Sequence, residues 1–103
     1  MQNTVKNFNN NRKCHQKEVP TFARILNIQS ELGELSKSYL EGTSYGTKEF
    51  SLTADFKEEF GDVLYTLLSL ANELNLSCEE CLSLTLEKLE SRMKNNNSMK
   101  SGS

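Results

Sequence analysis

With 103 residues, this chain makes one small domain whose own core is modest, so part of its apolar surface is expected to be buried between copies. Its composition is rich in Leu, Glu, Lys, Ser and Asn, with one proline and no tryptophan, which is the composition of a helical protein, and no apolar run is long enough to span a bilayer. The net charge of −2 conceals an asymmetry that argues against a nucleic-acid groove: Lys6, Arg12, Lys13, Lys17 and Arg24 face only Glu18 in the first 24 residues, whereas the acids gather from Glu31 onward.

The polar start Met1-Gln2-Asn3-Thr4 carries no signal-peptide segment, which predicts a cytoplasmic protein with no membrane partner. Val5 to about Asn11 can form a short helix, although Asn9-Asn10-Asn11 is poor helix material, and residues 1–19 read as a basic arm running into a polar connector. From Pro20 the pattern sharpens. Phe22, Ile25, Ile28, Leu32, Leu35 and Tyr39 follow at helical spacing until Gly42 stops the run. The stretch Gly42-Thr43-Ser44-Tyr45-Gly46-Thr47-Lys48 reads as a loop, with Ser51 or Thr53 available to cap the next helix. That third helix carries Phe56, Phe60, Val63, Leu64, Leu67, Leu68, Ala71 and Leu74, an apolar face wide enough for burial on more than one side, and Asn75 ends it. Ser77-Cys78-Glu79-Glu80 has capping-box form and opens a fourth helix with Leu82, Leu86, Leu89 and Met93 as its buried stripe. The expectation is an all-α, four-helix-bundle-like single domain over residues 20–94 that oligomerises, followed by a disordered tail over 95–103.

Two short stretches inside the second and third helices nearly repeat each other: Glu31-Leu32-Gly33-Glu34-Leu35 and Glu59-Phe60-Gly61-Asp62-Val63. Each places two carboxylates three residues apart, on one helix face, with a glycine between them. Like charges at that spacing repel by a few tenths of a kcal/mol, and a mid-helix glycine costs about 1 kcal/mol relative to alanine. A hard divalent cation held between the helices turns the repulsion into attraction, and the glycines are expected to let the backbones approach closely enough to share it. If the helices run antiparallel, Glu31, Glu34, Glu59 and Asp62 converge as four oxygen ligands of the kind Mg²⁺ or Mn²⁺ prefers. The alternative, that all four are solvated surface acids, describes most helical glutamates but not a duplicated pattern with leucine-rich flanks.

The ordered set E-L-G-E-L, then E-E-F-G-D-V-L-Y, then Glu87-Lys88-Leu89-Glu90-Ser91-Arg92 resembles the MazG family of all-α nucleoside triphosphate pyrophosphohydrolases, over about Phe22 to Met93. The resemblance implies a four-helix core, an activity that splits nucleoside triphosphates into monophosphate and pyrophosphate, and a homodimer or homotetramer in which a neighbouring subunit completes each pocket. It also implies that Glu31, Glu34, Glu59 and Asp62 bind Mg²⁺ at the catalytic centre and that Lys88 and Arg92 contact the triphosphate. Lys88 and Arg92 share a helix face at i and i+4, and their other reading is helix-end cations pairing with Glu87 or Glu90. One departure from the family pattern stands at Leu86, where many members carry asparagine.

Asp55 and Glu58 add negative charge beside the site and either could orient a water in the outer shell, or simply be solvated. Tyr39, Tyr45 and Phe50 could stack on a base or close the end of the bundle. Cys78 and Cys81 with Cys14 and His15 make a thinkable zinc set, but the spacing lacks a second C-x-x-C or an H-x-x-x-H, and three cysteines without a secretion signal fit reduced thiols. The functional expectation is a housekeeping hydrolase of nucleoside triphosphates, dNTPs above all. The alternatives are a non-catalytic helical dimerisation module and, within the same superfamily, a phosphoribosyl-ATP or dUTP-specific pyrophosphohydrolase.

Overall fold

The computed structural model describes residues 1–12 and 20–102, with side chains through Asn96. Cys14, His15 and the connector charges Lys13, Lys17 and Glu18 lie outside the described residues. Among the described residues the chain forms α1 (Gln2–Arg12), α2 (Thr21–Gly42), α3 (Ala54–Glu73) and α4 (Cys78–Gly102), with no strand. No described helix is long and apolar enough to cross a membrane.

The helices end where local hydrogen bonding makes them end. Thr53 caps α3, its hydroxyl accepting from the Phe56 N–H at 3.0 Å. At the far end of α3, Asn75 takes a left-handed φ of 56°, and the N–H groups of Leu76 and Asn75 return to the carbonyls of Ala71 and Asn72, a Schellman closure. The same closure ends α2, with Ser44 at φ 48° and the Tyr45 N–H bonded to the Leu40 carbonyl at 2.8 Å. Gly42 therefore lies inside α2 and is not its stop signal. Its role is spatial: a Cβ there would meet the Phe50 ring at 2.7 Å. Ser77 caps α4, accepting from the Glu80 N–H at 3.2 Å.

α2 and α3 pack as an antiparallel pair. Tyr39, Phe50 and Phe56 cluster at the loop end, with Tyr39 and Phe50 stacked at 4.6 Å between centroids. At the other end Arg24 pairs with Glu73 at 2.7 Å, and the Thr21 hydroxyl donates to the same carboxylate. Among the described residues, Val63, Leu68 and Ala71 are the buried apolar side chains. α1 docks on α3 mostly through polar contacts, despite its asparagine run. The Tyr65 hydroxyl donates to Asn9 Oδ1 at 2.5 Å, the Asn9 amide donates to Ser69, and Phe8 meets Tyr65 edge to face. Asparagine is a poor helix former because its amide competes for backbone partners, and here that amide is occupied by α3.

Two expectations need correction. The stripe assigned to burial on α4 is exposed in the single chain, at 59% for Leu82, 55% for Leu86, 44% for Leu89 and 65% for Met93. α4 does not pack along the α2–α3 pair as a fourth bundle helix. The radius of gyration, 18.4 Å, accordingly exceeds the roughly 13 Å of a compact chain this long. The reason is that, among the described residues, α1 and α2 both pack on α3 and neither covers this stripe. Second, α4 continues through Asn95-Asn96-Asn97 to Gly102, past the point at which the sequence places its fraying; once nucleated, a helix extends through poor formers at a few tenths of a kcal/mol per residue.

Candidate metal centre

Midway along the α2–α3 pair the two acidic repeats meet. One oxygen from each of Glu31, Glu59 and Asp62 can be drawn so that all three lie within 4.8 Å of one another. The antiparallel crossing explains the selection. Glu31 lies opposite the turn Glu59-Asp62, while Glu34 is carried one turn along α2 toward the loop and stays exposed. Three of the four expected ligands thus converge and Glu34 does not join them, although its charge is still felt at Glu59.

The glycine expectation fails. A Cβ on Gly33 or Gly61 would meet nothing within 4 Å, so neither residue mediates close approach of the helices. Each glycine follows its acid by two residues, which on a helix is about 200° around the axis and points away from the shared face. The spacing alone contained this information.

The electrostatics are those of like charges held close together. Partial desolvation, and then the charges of Asp62, Asp55, Glu34 and Glu31, push the Glu59 carboxyl above its ordinary value of 4.5. Among the described residues the salt bridges are Arg24 with Glu73 and Lys94 with Glu90, and neither reaches this group. An all-oxygen, like-charged donor set of this spacing suits a hard divalent ion better than zinc or copper.

Lys88 and Arg92 are not brought to the acids; both stand exposed on α4. Their alternative pairing is not made either, since Glu90 pairs with Lys94 at 3.8 Å. Cys78 is half-buried and Cys81 exposed, both as free thiols, and no group of described residues joins them to a metal set. Tyr39 and Phe50 close the loop end of the pair, whereas Tyr45 projects outward at 71% exposure. Of the two flanking acids, Asp55 is engaged, its Oδ2 accepting from the buried Ser38 hydroxyl at 2.7 Å. Sequence reasoning did not single out Ser38. Its signal was available, because Ser38 stands seven residues after Glu31 and four after Glu34, on their face of α2.

Comparison with known proteins identifies the family. The chain is 39% identical over 75 residues to the uncharacterized protein YpjD of Bacillus subtilis strain 168, an alignment that covers 70% of this chain and 66% of the relative, just under two thirds of its length. Its fold is similar to the crystal structure of the candidate pyrophosphatase YpjD from Bacillus subtilis, with a TM-score of 0.69, 28% identity, and coverage of 84% of this chain and 88% of that one. The MazG nucleotide pyrophosphohydrolase domain matches residues 23–96, the segment that carries both acidic repeats and Lys88 and Arg92, and the chain belongs to that family.

Proposed function

We propose that this protein hydrolyses nucleoside triphosphates, dNTPs above all, to the monophosphate and pyrophosphate with Mg²⁺, as a housekeeping enzyme of a cytoplasmic nucleotide pool. The observation that carries this reading is the convergence of Glu31, Glu59 and Asp62 within 4.8 Å on the two helices matched by the family. These three would hold Mg²⁺ or Mn²⁺. When bound, such an ion supplies positive charge against the phosphate oxygens and lowers the pKa of water.

The chain's own residues divide the remaining work. Glu34 stands outside the three-oxygen group but close enough to influence Glu59, which leaves its carboxylate to accept a proton from the attacking water. Lys88 and Arg92 bind the polyphosphate. On a helix that leaves its own α2–α3 pair, they reach an acidic centre when two or more copies assemble and α4 of one copy lies on another. The exposed stripe Leu82, Leu86, Leu89 and Met93, together with Phe60 and Leu67 on α3, supports a homodimer or homotetramer of that kind. With the carboxylates engaged in holding the ion or accepting a proton, water is the attacking group.

A nucleotide panel with Mg²⁺ tests the reading by measuring pyrophosphate against orthophosphate. The expected primary product is pyrophosphate from dNTPs. Activity confined to dUTP or phosphoribosyl-ATP moves the protein to another branch of the superfamily, and no turnover of any of them favours the dimerisation module.

A further inference from the structure

Asp55 and Glu58 flank the metal centre alike in sequence, yet the structure treats them differently. Among the described residues Glu58 is exposed and makes no hydrogen bond or salt bridge through its side chain. Asp55 instead crosses to α2, where the hydroxyl of Ser38 donates to its Oδ2 at 2.7 Å. Ser38 is 4% exposed and Asp55 is exposed, so this bond is part-buried, and it is the polar tie between the two helices nearest to the acidic centre on its loop side. Asp55 precedes Glu59 by four residues, so the two carboxylates are neighbours on one face of α3, about 6 Å apart at Cβ. Ser38 follows Glu34 by four, placing the tie one turn beyond both ligand-bearing segments.

An aspartate that close to a carboxylate cluster adds repulsion and, left alone, would swing its charge into water. The buried hydroxyl holds it in place. One oxygen is committed to Ser38, and among the described residues Oδ1 has no partner, so it can accept from a water on an ion held by the cluster. Hydrated Mg²⁺ and Mn²⁺ keep several such waters.

We infer that Ser38 and Asp55 form a positioning pair for the metal centre: Ser38 anchors the Asp55 carboxylate, which adds its charge and a water-accepting oxygen to the ion's outer shell and ties the spacing of α2 to that of α3. This rests on the metal reading proposed above, but not on the identity of the substrate.

The test is Mn²⁺ binding to the full chain, read by calorimetry and by electron paramagnetic resonance, beside the melting temperature without metal. Asp55→Asn keeps an acceptor for the Ser38 hydroxyl and removes the charge. It is expected to weaken Mn²⁺ binding about tenfold while the metal-free melting temperature holds or rises. Ser38→Ala frees the carboxylate and is expected to weaken Mn²⁺ binding less than Asp55→Asn does, and the double variant should be no weaker than Asp55→Asn alone. Wild-type Mn²⁺ affinity in both single variants overturns the pair, as does a full additive loss in the double variant. A wild-type chain that takes Mn²⁺ but hydrolyses no nucleotide leaves the pair standing and overturns the enzymatic reading; a wild-type chain that takes no Mn²⁺ overturns both.

Discussion

The α2–α3 pair and α4 both carry apolar residues at helical spacing, more sharply segregated to one face in the pair, and they meet different fates. In the pair, Val63, Leu68 and Ala71 are buried, an aromatic cluster closes one end, and the Arg24–Glu73 bridge closes the other. On α4, Leu82, Leu84, Leu86, Leu89 and Met93 all lie at 44% exposure or more. Periodicity reports that a face wants burial; it says nothing about which surface supplies it. The division also separates the proposed chemistry, with the acids on the paired helices, which still expose Phe60 and Leu67, and the cations on α4, outside the pair. On the proposed reading, a monomer holds the acids and the cations of its site on separate elements.

The largest effect should come from attacking the pair at its acids. Glu59→Gln should reduce turnover more than about 100-fold, beyond the usual outer-shell loss, and abolish the rise in melting temperature that Mg²⁺ or Mn²⁺ gives by mass action. Its metal-free fold should be as stable as the wild type or more so, because a repelled carboxylate is gone. Undiminished turnover in this variant removes Glu59 from the centre.

Next in size is a contrast between the two stripes. Leu68→Ala, in the pair's core, should cost about 3 kcal/mol in urea unfolding. Leu86→Asp on α4 should leave the helix content unchanged but shift light scattering from oligomer to monomer and take activity with it. If the protein is monomeric and fully active before the substitution, α4 has no partner and the proposed assembly is wrong.

Arg92→Ala should raise KM for a triphosphate while the Mn²⁺ affinity stays at its wild-type value, because the cation and the acids stand on different elements. A loss of metal binding would mean that α4 shapes the acidic centre itself. Smaller again is the bolt at the end of the pair. Arg24→Ala should cost about 1 kcal/mol, since both side chains are partly exposed, at 26% and 30%.

The smallest effect is a pH dependence. With its folded-state carboxyl raised above 4.5, Glu59 binds a proton more tightly folded than unfolded. Its ionised form therefore destabilises the metal-free protein above the raised pKa, and this penalty fades as the pH falls toward 4.5. The difference in melting temperature between Glu59→Gln and the wild type should be largest near neutrality and shrink on acidification. A difference independent of pH would mean that the charge of Glu59 is not what the substitution relieves.

Much of this protein was legible in its residues before any folding was considered. Pro20, Thr53, Asn75 and Ser77 mark the helix boundaries because capping and left-handed closure are local events, settled within a few residues. The two acidic repeats announce a shared face for the same reason: three-residue spacing on a helix is geometry internal to that helix. Even the failure of Gly33 and Gly61 as spacers was contained in their two-residue offset. What required the tertiary structure was everything set by how one helix lies on another. The crossing of α2 and α3 decides that Glu31, Glu59 and Asp62 meet while Glu34 stays one turn away, and that a buried serine captures Asp55 but nothing captures Glu58. Among the described residues the apolar stripe of α4 stays uncovered, because a helix's periodicity encodes the direction of its apolar face and not the existence of a surface opposite it.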